Sequence, residues 1–158
     1  MTHPPIDNPD QVITDLNKLM TLNLESVEGY DNVLNDMDEH MVLTDTLREF
    51  RASHESMALA LRTEIISRGG DPDRVTGWDV LADLHQTWID IKQAVADNNT
   101  SSILAECSTG ESTARSVYEN VLEQEYIPDA LRVMLTAQLE DIREMENRVE
   151  ELEDVYEK

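Results

Sequence analysis

Four polar residues stand where apolar ones belong. Apolar side chains recur at helical spacing along most of this chain, and Asn23, His54, Glu111 and Gln138 each fall near the middle of one such stripe. An ionised glutamate in a core is costly unless it is paired, and His54 is the obvious partner for Glu111. Two kinds of chemistry fit this set. The first is a metal or small-ligand site at mid-depth. A reduced mononuclear version would use His54 and Glu111 with Glu28 or Asp141, since oxygen- and imidazole-rich sites suit several divalent ions such as iron, manganese or zinc. The second is a buried hydrogen-bond network that fixes helix register. Glu111 has a third option, a surface pair with Arg115 one turn further on.

Other chemistry is excluded by spacing. A carboxylate-bridged di-metal bundle needs Glu-x-x-His on two of its helices. Here the residues three before His40, His54 and His85 are Met37, Arg51 and Ala82, so no complete di-iron set can be assembled. There is no glycine-rich phosphate loop, no Ser/His/Asp constellation and no Cys/His zinc spacing. Cys107 lies on an apolar helical face with no base placed to activate it, and reads as a small buried hydrophobe. His85 shares helical spacing with Trp78 and Trp88 and reads as packing. His40 falls near a turn and His3 in the N-terminal segment.

The elements that must position the polar residues follow from punctuation and periodicity. Residues 1–8 form an expected flexible tail, and a single domain spans 9–156. Asn8-Pro9 looks like an N-cap followed by proline at the first helical position, with Gln11 as capping-box partner. The first stripe is Ile13, Leu16, Met20, Asn23, Val27, Tyr30 and Leu34. Thr46 with Glu49 resembles a second capping box, followed by Leu47, Phe50, His54, Met57, Leu61 and Glu64 or Ile65. That helix ends at Arg68-Gly69-Gly70-Asp71-Pro72. A shorter amphipathic helix carries Trp78, Leu81, His85 or Leu84, Trp88, Ile91 and Val95. The next runs from about Ser101 to Gln124 through Leu104, Cys107, position 110 or 111, Ala114, Tyr118 and Val121. Gly110 in its interior costs about 1 kcal/mol relative to alanine, which a close helix–helix approach there would offset. The last helix opens at Pro128-Asp129. It keeps a strict three–four repeat through Leu131, Leu135, Gln138, Ile142, Met145, Val149, Leu152 and Tyr156.

The expected fold is therefore all-α, with four long core helices and an additional amphipathic crossover helix between core helices two and three. Composition narrows the partners. Acidic residues outnumber basic ones 34 to 12, for a formal net charge of -22 over 158 residues. Such a surface repels nucleic acid and anionic membranes and leaves cations or a protein as partners. One cysteine rules out an internal disulfide framework. No secretory signal and no membrane-spanning stretch is apparent, so the expected location is cytoplasmic.

One stretch is more specific. At Glu106-Cys107-x-x-Gly110-Glu111-x-x-Ala114-x-x-x-Tyr118 the chain resembles a bacterial family of ferritin-like four-helix-bundle proteins known as a domain of unknown function. The Gly69-Gly70-x-Pro72 helix end and the tryptophan-bearing helix after it are similar too, as is Gln138 in the last helix. The resemblance spans roughly Leu16 to Leu152. Where the family often has a His-Asp pair late in the last helix, this chain has Glu146-Asn147. The resemblance implies a ferritin-like fold and no particular activity. The expectation is a non-catalytic module, stress-associated or acting through self-association or a protein partner. The alternative is a metal-binding ferritin relative with a degenerate mid-bundle site.

Overall fold

The computed structural model of the chain describes residues 8–37, 42–73, 78–97 and 99–156. Its helices are α1 (Pro9–Asp36), α2 (Val42–Ser67), α3 (Trp78–Ala96), α4 (Thr100–Leu122) and α5 (Asp129–Tyr156), and no strand occurs among the described residues. None of the helices is long and apolar enough to cross a membrane, among the described residues. The expected tail of residues 1–8 lies outside them except for Asn8, which is the N-cap of α1.

Local chemistry sets most helix ends. The Asn8 carboxamide accepts from the Gln11 backbone N–H at 3.4 Å, and Pro9 opens the helix. The reciprocal half of the capping box is not made, because the Gln11 side chain donates to Asp15 instead. The second expected box is also overturned. Helix α2 already runs from Val42, so Thr46 sits inside it and is buried against the core. At the other end of α2, Gly69 has φ of 81°, Gly69 N–H donates to Ile66 and Gly70 N–H to Ile65. These paired bonds close the last turn, and the left-handed residue between them favours glycine. Asn99 caps α4 by accepting from Ser102 N–H at 3.1 Å. The C-terminal carbonyls of α4 face Arg132, whose guanidinium donates to Leu122 and Gln124.

Residue pairs give the helix directions. Asn23 meets His54 and Asp31 meets Arg51, so α1 and α2 run antiparallel. Tyr118 meets Gln138 and Arg115 meets Glu146, so α4 and α5 do too. Tyr30 meets Glu111 and Asn23 meets Tyr118, which sets α4 antiparallel to α1 and hence parallel to α2. Helix α3 packs on α1 and α4. One contiguous core joins all five helices, with Leu16, Leu19, Leu47, Leu61, Leu84, Leu104, Leu135 and Ile142 fully buried in it.

The strict repeat of α5 holds from Leu131 to Leu152, all buried at its core-facing positions, while Tyr156 is exposed. On α1 the expected stripe is too narrow. Val12, Leu19, Leu22, Ser26, Gly29 and Val33 are buried, whereas Ile13, Val27 and Leu34 are only partly so. The reason is neighbours: α1 packs against α2, α3 and α4 and must cover a wide arc, whereas α5 packs mainly on α4. On α3, Leu84 takes the core position and His85 is exposed.

Candidate functional site: a buried polar layer

The structure brings Asn23, His54, Glu111 and Gln138 together, one from each long helix. His54 is 0% exposed and Glu111 2%. His54 Nδ1 lies 2.7 Å from Asn23 Oδ1, and Nε2 lies 2.8 and 3.1 Å from the two oxygens of Glu111. Two phenols complete the set. Tyr30 donates to Glu111 Oε1 at 2.7 Å, and Tyr118 donates to Gln138 Oε1 at 2.7 Å.

Backbone carbonyls fix the direction of the bonds made by Gln138 and Asn23. Gln138 Nε2 donates to the Met57 carbonyl, so its Oε1 is left to accept from Tyr118. Both amide hydrogens of Asn23 are spent, on the Leu19 carbonyl and on the Tyr118 oxygen, each at 2.8 Å. Asn23 Oδ1 must then accept, which places a proton on His54 Nδ1. The remaining contact, Nε2 with the Glu111 carboxyl, holds one proton. It can sit on either side, and the pair is net neutral in both cases. The chain of bonds is therefore satisfied from α5 through α4 and α1 to α2 and back to α4. The buried side-chain atoms left without a partner among the described residues, Asn17 Oδ1 and Trp88 Nε1, both lie outside it.

Aromatic rings seal this layer. Tyr30 stacks near His54 at 6.0 Å between centroids and meets the edge of Trp88 at 4.5 Å. Burial first, then the nearby Glu111 carboxylate, push the Tyr30 phenol well above its ordinary value, and burial pushes Tyr118 up likewise. Cys107 is 1% exposed, and burial followed by Glu111, Glu106 and Glu153 drives its thiol far from the thiolate.

A metal does not fit these residues. The layer offers one imidazole and one carboxylate, and their lone pairs and protons already serve one another. Among the described residues no group of three His, Cys, Asp or Glu side chains is placed to hold a metal ion. Glu28 and Asp141 do not join His54 and Glu111, and this corrects the reduced ligand set. Glu28 is five residues on from Asn23, about 140° around the helix. It is exposed and lines an open cavity of about 310 Å³ between α1 and α3 with Glu25, His85 and Trp88. Asp141 is exposed beside Glu144 and Arg148. The surface pairing of Glu111 with Arg115 is also overturned, since Arg115 binds Glu119 and Glu146 instead.

The remaining motif residues have packing roles. Ala114 is fully buried and Glu106 half-buried beside Asp90, with its carboxyl raised first by burial and then by that neighbour. Gly110 is buried but not crowded. A Cβ there would meet Thr87 Cγ2 at 3.6 Å and Leu84 Cδ1 at 4.0 Å, ordinary contacts. The close approach expected at Gly110 occurs at Gly29, where a Cβ would fall within the Trp88 indole, 2.6 Å from Cε3. Sequence reasoning missed Gly29, and it missed the phenols as members of the layer. A signal for the phenols existed: Tyr30 is seven residues after Asn23, and Tyr118 seven after Glu111, so each shares a helix face with a polar residue. A tyrosine on a buried stripe needs a partner for its hydroxyl.

No curated protein and no solved structure matches the chain. Residues 11–124 match the family described as Domain of unknown function (DUF2383). That span is well over half of the chain and includes the Glu106–Tyr118 motif, so the chain belongs to this family.

Proposed function

We propose that the chain is a non-catalytic, ferritin-like four-helix bundle acting as a protein-interaction module, with α3 as the crossover between core helices two and three. The up-down-down-up directions of α1, α2, α4 and α5 support the bundle reading, because parallel neighbours α2 and α4 need a long connection between them. One observation carries the functional part: the polar layer is closed. Each side-chain nitrogen and oxygen of Asn23, Gln138, Tyr30 and Tyr118 in it has a partner in another member or in a backbone carbonyl. Among the described residues, no buried polar side-chain atom of the layer is left without a partner. Its effect is specificity. Rotating any of the four helices by one residue would strand a buried donor or a buried charge, which costs more than the bonds contribute. The acidic surface disfavours nucleic acid, and the lone buried thiol suits the reducing cytoplasm.

The test is metal content and metal-dependent melting of protein purified without an affinity tag. After incubation with ferrous iron, manganese or zinc, the protein should carry no stoichiometric metal and its melting temperature should not move. A near-stoichiometric metal that is lost in Glu111→Ala would overturn the reading in favour of a degenerate ferritin-type site.

A further inference from the structure

The outer face of α2 carries an exposed row of small and apolar residues. Ala52, Ser56, Leu59, Thr63 and Ile66 follow one another at spacings of four and three, and all five are exposed. Leu59 is 59% exposed and Ile66 55%. The Thr63 hydroxyl donates back to the Leu59 carbonyl at 3.1 Å, so it adds no unpaired donor to the row. In a chain with a net charge of -22, this row holds no carboxylate. The exposed side of α5 beyond residue 139 is acidic instead, with Glu140, Asp141, Glu144, Glu150, Glu151 and Asp154. Beside the row, an open apolar groove of about 270 Å³ runs between α1 and α2, floored by Met20, Leu24, Val27 and Ala58. Leu24 is itself 47% exposed.

We propose that this face binds a second copy of the chain, α2 against α2 in antiparallel sense about a two-fold axis. This rests on the interaction-module reading above and names its partner. A three–four row of small and apolar residues is the pattern that lets two helices interlock, with Leu59 of each copy entering the groove beside Leu24 of the other. Charge selects the occupant. Glu55 and Arg62 lie seven residues apart along the same edge of the row, with opposite signs. In an isologous antiparallel pair, Glu55 of one copy meets Arg62 of the other, twice. Each now has an intrachain partner at the surface, half-buried Arg51 for Glu55 and exposed Asp73 for Arg62, and pairs open to solvent are weak enough to exchange. Two acidic copies repel least where a ridge carries no carboxylate, as along this row. The contact uses one helix and a groove, and the dimer is correspondingly weak and concentration-dependent.

The experiment is sedimentation equilibrium of the full chain across a micromolar concentration series, with circular dichroism to confirm folding. The wild type should show a reversible monomer–dimer equilibrium. Leu59→Asp with Ile66→Asp should abolish the dimer at unchanged helicity and melting. Glu55→Arg and Arg62→Glu should each weaken it about tenfold, and the two together should restore it. A wild type that stays monomeric throughout, or a dimer that survives Leu59→Asp with Ile66→Asp, would overturn the proposal. Either result leaves the interaction-module reading intact, since that falls only on the metal measurement.

Discussion

Two histidines in this chain stand near glutamates, under opposite conditions. His54 is fully buried, with both ring nitrogens bonded and Glu111 at 2.8 Å. His85 is exposed, on the rim of the α1–α3 cavity, and its charge lowers the raised carboxyl of Glu25 only as the last-ranked influence, after burial and Glu28. The residue types are alike and the consequences are not. Water satisfies His85 whatever its neighbours do. The core offers His54 nothing but Asn23 and Glu111, so its geometry becomes a condition for folding. A polar residue on a buried stripe therefore specifies structure, while the same residue one helix away is close to neutral.

The largest expected effect tests that contrast directly. His54→Ala or Glu111→Ala should each cost about 3–5 kcal/mol of unfolding free energy in denaturant titration, because each strands its partner in the core. His85→Ala should change stability by less than ~0.5 kcal/mol. Comparable losses at the two histidines would erase the distinction. The two buried glycines sharpen it next. Gly29→Ala should cost about 1–3 kcal/mol, because Trp88 must leave its place over α1. Gly110→Ala should be neutral or stabilise by up to about 1 kcal/mol, because a Cβ has room and alanine favours the helix.

A pH titration gives a smaller effect. The phenols of Tyr30 and Tyr118 are raised above 10.0, mainly by burial, and Tyr126 is pushed up to about 12 by burial and its bond to Asp15. Folded values above the unfolded one mean that the stabilisation is complete below pH of about 10 and is lost as the pH rises beyond it. Denaturant midpoints should be flat through mildly alkaline pH and then fall, and Tyr30→Phe should flatten part of that fall. The smallest expected effect is at Cys107, where the native protein should react with a thiol reagent only as fast as it unfolds.

Much of the fold was legible because helix punctuation is local. Asn8-Pro9, Gly69-Gly70 and Pro128-Asp129 mark helix ends whatever the tertiary contacts are. The α5 stripe was legible because a helix packed mainly on one neighbour buries one narrow seam. The α1 stripe was not, because three neighbours widen the buried arc. At the site, Asn23, His54, Glu111 and Gln138 could be selected as interruptions in apolar rows, but selection does not give rotation. Glu28 and Asp141 qualify as oxygen ligands by residue type alone, and the helix turns both outward. Gly29 was overlooked because its reason, the Trp88 ring, is 59 residues away in the chain.

The central claim is that the layer is one coupled network and not a set of independent polar residues. A double-mutant cycle on His54→Leu and Glu111→Leu measures that coupling. The account predicts that each single change is strongly destabilising and that the double change recovers part of the loss, with a coupling energy of about 1–3 kcal/mol. Single losses that simply add, within about 0.5 kcal/mol, would contradict it.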